Sequence, residues 1–265
     1  MNWEDKTDKF CKKYNIPLEY LADTLNEPKV IPMIRGKAFE FSVYEKLMGI
    51  VDPEIWEVQK NIINAQLGIH DEDVTIKHRF SNRTFGGECK LAGKGRCKFN
   101  TDGSVRINIK CMRSRTLGAE MVKKLAPKYG IQEEVLGIHN DQYLPSDFDM
   151  VITSIGNAFY QTDDQGLMYW APTPKEVRWL KFICETENEE ELQDAAFNKI
   201  YVITSADLSI KTNGHQVCTR RKCENQFDCG FIPNYPTLTF PKNSKIPCDG
   251  WTELENIDEV LTKLL

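Results

Sequence analysis

The stretch Asp73-Val74-Thr75-Ile76-Lys77-His78, answered after a short polar interruption by Phe85-Gly86-Gly87-Glu88-Cys89-Lys90-Leu91, decides how the chain is read. The first run alternates apolar and polar residues and predicts a strand. Ser81-Asn82-Arg83-Thr84 has turn chemistry, and the second run predicts a strand pairing back. Side chains alternate along a strand, so Glu88 and Lys90 share one face. Folding the hairpin brings Asp73 beside Glu88. Two neighbouring carboxylates repel unless a cation lies between them, and a hard dication such as Mg2+ prefers such oxygen ligands.

Outward from this hairpin, the sequence predicts helix on the N-terminal side. Residues 17–26 carry Leu18, Leu21, Ala22 and Leu25 at helical spacing, and 36–48 carry Phe39, Val43 and Leu47 on one face. Asp52-Pro53 reads as the cap of a third helix bearing Ile55, Val58, Ile62 and Ala65. Further strands are expected at 104–111, 149–153 and 199–203, with helices at 116–126, 174–184 and 189–197. Residues 211–250 are rich in cysteine and proline and read as a lobe. The last helix is expected to open on a capping box, Thr252 with Glu255. The fold class is therefore mixed α/β: a central mixed sheet flanked by helices, with a cysteine-rich C-terminal lobe. The division is 1–210 for the helical region and core, 211–250 for the lobe and 251–265 for the closing helix.

Composition narrows the function. The 265 residues carry a formal charge of −5, which argues against a protein that coats nucleic acid indiscriminately. The cations are nevertheless clustered: Lys94, Arg96, Lys98, Arg106, Lys110 and Arg113 lie between Lys90 and Arg115, with Asp102 the single acid among them. Arginine suits phosphates and guanine edges, so Lys94, Arg96, Arg106, Arg113 and Arg115 are candidate DNA contacts. His139-Asn140-Asp141-Gln142-Tyr143 reads either as a base-reading cluster or as a capped loop. No run of apolar residues suits a membrane span, and the N-terminus has no secretory pattern, so a cytoplasmic location is expected.

Nine cysteines are many for such a chain. His215-x2-Cys218-x4-Cys223-x5-Cys229 offers four zinc-compatible ligands within fifteen residues, with Arg220 and Arg221 presented toward DNA from inside that loop. Free thiols are the alternative. Cys89, Cys97 and Cys111 read as small core residues.

An acid, a spacer, then acid-x-lysine on the next strand resembles the active site of the PD-(D/E)XK nucleases. Gly36-Lys37-Ala38-Phe39-Glu40 on an early helix, and the strands around 149–153 and 199–203, resemble type II restriction endonucleases within that superfamily. The resemblance spans about residues 35–210. It implies Mg2+-dependent cleavage of double-stranded DNA at a short specific sequence by a homodimer, leaving 5′-phosphate and 3′-hydroxyl. Asp73, Glu88 and Lys90 match the motif, with Asp73 and Glu88 as metal ligands and Glu40 as an additional acid. Asp71 competes with Asp73. A second reading takes Asn108 and Lys110 on the following strand as the pair, with Glu88 as the upstream acid. Two other functions remain open: a structure-specific repair or resolvase nuclease on the same fold, and a noncatalytic zinc-stabilised DNA-binding protein.

Overall fold

The computed structural model describes residues 2–60, 72–212, 214 and 216–265. The N-terminal part is helical: α1 (Trp3–Tyr14), a single 3-10 turn at Leu18–Tyr20 leading into α2 (Leu21–Leu25), and α3 (Ile31–Ile50). The strands β1 (Trp56–Gln59), β2 (Val74–His78), β3 (Thr84–Phe99) and β4 (Val105–Ile109) follow. Next come α4 (Ala119–Tyr129), α5 (Glu133–Ile138) and β5 (Met150–Ser154). A small hairpin, β6 (Tyr160–Thr162) and β7 (Met168–Trp170), precedes α6 (Pro174–Cys184) and α7 (Leu192–Asn198). The chain closes with β8 (Ile200–Thr204), α8 (Ser205–Leu208), β9 (Thr237–Phe240), β10 (Thr252–Glu253) and α9 (Ile257–Leu264).

The main sheet runs β1-β2-β3-β5-β8-β10, with β4 pairing β3 and β9 pairing β4. It is mixed: β3 and β5 are parallel, while β2–β3 and β5–β8 are antiparallel. Its central strands are buried on both faces, and their side chains sort by parity. Met150, Ile152, Ile200 and Val202 join Phe39, Val43 and Leu47 of α3 and Ile257, Val260 and Leu261 of α9 on one side. Val151, Tyr201 and Ile203 face the opposite core with Leu180 and Ile183 of α6 and Ile107 and Ile109 of β4. The i, i+4 spacing of Phe39, Val43 and Leu47 is what docks α3, each full burial contributing about 1.5–3 kcal/mol.

β3 is the organising strand. Its first half pairs with β2 and β5, and its second half leaves with β4 after a register shift between Ala92 and Cys97. Gly95, at φ 65°, supplies the left-handed residue that such a break favours. Gly95 thus marks the point where β3 turns from one pairing to the other.

Several expectations need correction. Residues 52–59 are not a helix: a turn held by Asp52 leads into β1, which pairs with β2. Ile62 and Ala65 of that expected helix lie outside the described residues. The segment 211–250 is less separate than its composition implies, because β9 adds Leu238 and Phe240 to the core. The Thr252–Glu255 capping box does not form. Thr252 pairs with Val202 in the sheet, and α9 starts later, after Asn256, without a side-chain cap. The helix expected at 116–126 is α4, Ala119–Tyr129, and runs on through Pro127. Among the described residues no helix is long and apolar enough to cross a membrane.

Candidate active site

Val74 is opposite Gly87, so extending the ladder by one residue places Asp73 across from Glu88. Asp73 is fixed there by the backbone N–H of Cys89, which donates to Oδ2 at 2.8 Å. Glu88 and Lys90 project from the same face of β3 and form an ion pair with each other. Tyr143 Oη donates to Glu88 Oε1 at 3.2 Å from the far wall. The other Glu88 oxygen, Oε2, is buried without a hydrogen-bond partner. A buried carboxylate oxygen in that state is costly unless something cationic reaches it.

Glu40 arrives from α3. Although only 9% of its side chain is exposed, it is ion-paired to Lys37 at 2.8 Å and to Lys60 at 2.7 Å. Lys37 also lies 3.9 Å from Asp73. Burial, and then the neighbouring Glu88 and Glu40 charges, push the Asp73 carboxyl up to about 8. Burial opposes charge on Lys90, yet Glu88 outweighs it and holds the ammonium above its ordinary range. Lysines therefore neutralise the carboxylates in this arrangement, and an all-oxygen donor set with one orphaned atom suits a hard dication.

These residues line an open cleft of about 810 Å³. Its walls include Glu40, Asp73, Glu88 and Lys90 together with the basic Arg35, Lys94, Lys110 and Arg115. The competing pair is divided: Lys110 lines this cleft, whereas Asn108 is not among the described residues lining it and sits in register with Thr237 of β9. Asp71 lies outside the described residues.

The expected DNA contacts separate into two groups. Lys94, Arg96, Arg115 and Arg221 carry exposed or half-exposed side chains. Arg113 is used internally. It pairs with the buried Asp147, donates to the Gln142 carbonyl at 2.9 Å and lies 4.8 Å from the Tyr143 ring centroid. Arg220 is paired with Asp141, and Arg106 lies beside Cys248 in a separate hollow. The 139–143 segment is structural as well: His139 and Gln142 are buried, and Gln142 donates to the Ile232 carbonyl at 2.9 Å.

Sequence reasoning did not single out Lys60 or Tyr143 as partners of the acids. Tyr143 carried a signal, an aromatic in a polar run; Lys60 carried none. Cys89 and Cys111 are buried as expected, Cys97 partly so. The cysteines at 218, 223 and 229 gather with His139, a group able to hold a zinc ion, while His215 lies outside the described residues. No protein-family model matches this chain, and neither a curated protein nor a solved structure matches it.

Proposed function

We propose that this chain is a Mg2+-dependent endonuclease that hydrolyses phosphodiester bonds of double-stranded DNA at a short specific sequence, in the manner of a type II restriction endonuclease. One observation carries the reading: Asp73, Glu88 and Lys90, with Glu40 beside them, converge on a single open cleft whose lining also includes Arg35, Lys94, Lys110 and Arg115. Anions inside a cationic groove suit a metal and a polyanionic substrate together.

Asp73, Glu88 and Glu40 would hold the cation, which when bound polarises a phosphate oxygen and acidifies water. The protein side follows from the geometry. The Cys89 N–H orients Asp73, and Tyr143 orients Glu88. Lys90 shares the face of β3 with Glu88, where it would position the attacking water and stabilise charge on the phosphorus centre. Water gives up a proton as it adds to phosphorus, the bond to the 3′ oxygen breaks, and that oxygen takes up a proton from solvent and leaves as the hydroxyl. Arg35, Lys94, Lys110 and Arg115 lie where they can follow the backbone. A homodimer would present two such clefts to the two strands of a palindrome.

The test is incubation of unmethylated plasmid with purified protein and Mg2+, followed by sequencing of the ends. Discrete fragments with 5′-phosphates are expected from the wild type and none from Glu88→Gln, which should still bind DNA. Wild-type protein that leaves a varied set of plasmids intact overturns the reading, and preferential cutting of branched DNA reassigns the cleft to a structure-specific nuclease.

A further inference from the structure

A second cluster lies apart from the cleft chemistry. Nε2 of His139 and the Sγ atoms of Cys218, Cys223 and Cys229 all fall within 4.8 Å of one another. Cys218 Sγ is 3.6 Å from His139 Nε2. Tetrahedral zinc, with metal–sulfur bonds of about 2.3 Å and metal–nitrogen bonds of about 2.0 Å, places its ligand atoms roughly 3.5–4 Å apart. Small shifts complete that shell.

The surroundings are built for it. His139 Nδ1 lies 2.8 Å from the Val135 carbonyl, a contact that keeps the ring proton on Nδ1 and leaves the Nε2 lone pair toward the sulfurs. Phe231 stacks on the same ring at 4.2 Å and 7°, fixing its plane. Backbone N–H groups two residues beyond two of the cysteines, those of Asn225 and Phe231, bond to Cys223 and Cys229. All nine cysteines are free thiols. The apolar cluster at this place is Ile210 with Cys218 and Cys223, backed by Cys229, too small to hold an irregular segment by burial alone.

We propose that His139, Cys218, Cys223 and Cys229 bind one zinc ion, a structural centre that fastens residues 216–231 to the C-terminal end of α5. With four protein ligands the shell is closed, which suits a structural rather than a catalytic site. The fastening reaches the cleft wall. Two residues beyond His139, Asp141 accepts from Arg220 and from Asn234, and Tyr143 follows with its hydroxyl on Glu88.

The test is elemental analysis of the full-length protein after gel filtration in chelator, independent of any DNA cleavage. One zinc per chain is expected in the wild type and in Cys248→Ser, with loss of zinc in His139→Ala and Cys223→Ser. Since those two variants can fail to fold, the wild-type protein is also reconstituted with Co2+. The visible spectrum of tetrahedral cobalt with thiolate charge-transfer bands is expected. A wild-type protein without zinc and without that cobalt spectrum overturns the proposal. So does zinc that survives His139→Ala but is lost in His215→Ala.

Discussion

The backbone N–H of Cys89 donates to Oδ2 of Asp73 at 2.8 Å, so the strand that carries Glu88 and Lys90 also sets the position of the acid opposite them. The main-chain tie leaves Oδ1 free of that bond and holds three charged side chains in one register. Conservative changes at these positions should therefore separate chemistry from folding.

For Glu88 and Lys90 a double variant separates the two effects. Lys90→Ala strands a buried carboxylate and should cost about 3–5 kcal/mol of stability along with activity. Pairing Glu88→Gln with Lys90→Met removes both charges and should recover most of that stability in a urea titration, while cleavage stays abolished. Asp73→Asn keeps an oxygen for the Cys89 N–H, so it should fold normally and lose on the order of 10²–10³ in rate. Near-wild-type cleavage by Asp73→Asn would remove that residue from the site.

Arg113 and Arg115 should behave oppositely. Arg113 is bonded to Asp147, whose side chain is only 3% exposed, so Arg113→Ala should unfold more easily by about 3 kcal/mol or more. Arg115→Ala should leave the melting temperature alone. It should weaken DNA binding across all sequences and lower the slope of log K against log salt by about 1. An unchanged slope for Arg115→Ala, measured by fluorescence anisotropy, would exclude its phosphate contact.

Gly87 is a packing position. A Cβ there would lie 2.9 Å from Val74 Cγ2 and 3.2 Å from Ile152 Cδ1, between strands that cannot both move. Gly87→Ala should destabilise by about 1–3 kcal/mol. Gly118→Ala meets nothing within 4 Å and should be close to neutral. Thermal melts of the two variants give the comparison directly.

The Lys46–Glu255 pair, 2.6 Å apart, ties α3 to the turn before α9. Burial would raise the Glu255 carboxyl, but the Lys46 bond prevails and the net shift is downward from 4.5. A depressed acid stabilises the fold above its ordinary range and loses that contribution as pH falls through the folded value. Glu255 is 49% exposed, so the contribution at neutral pH is about 0.5 kcal/mol. The stability gap between wild type and Glu255→Gln should thus be small at pH 7 and vanish well below pH 4.5. A gap that widens in acid would contradict the pairing.

Much of this was legible in the residues. The alternation at 74–78 and the apolar, β-branched runs at 149–153 and 199–203 indicated strands that the fold places at Val74–His78, Met150–Ser154 and Ile200–Thr204, the last two buried on both faces. Residues 52–59 misled for a physical reason. Asp52-Pro53 and the Ile55/Val58 spacing suit a helix locally, but pairing Trp56–Gln59 with β2 buries Trp56 against Phe85, and tertiary contact overrides propensity. At the cysteine cluster, sequence proximity favoured His215. The ligand that the fold supplies is His139, 79 positions from Cys218, a partnership that spacing cannot reveal. Arg113 looked like a surface cation because its anionic partner, Asp147, lies 34 residues away.

The parallel pairing of β3 with β5 has a consequence for how the molecule comes into being. The strand bearing Glu88 and Lys90 is complete by Phe99, but its neighbour at Met150–Ser154, and the hydroxyl of Tyr143 over Glu88, emerge from the ribosome later. β4 waits longer still for Thr237–Phe240. A nascent chain therefore carries its acids and lysine, while residues 91–154 are being made, without the walls that orient them. The residues that line the cleft are all made by Met168, whereas the β4–β9 pairing beside it is completed only with Phe240.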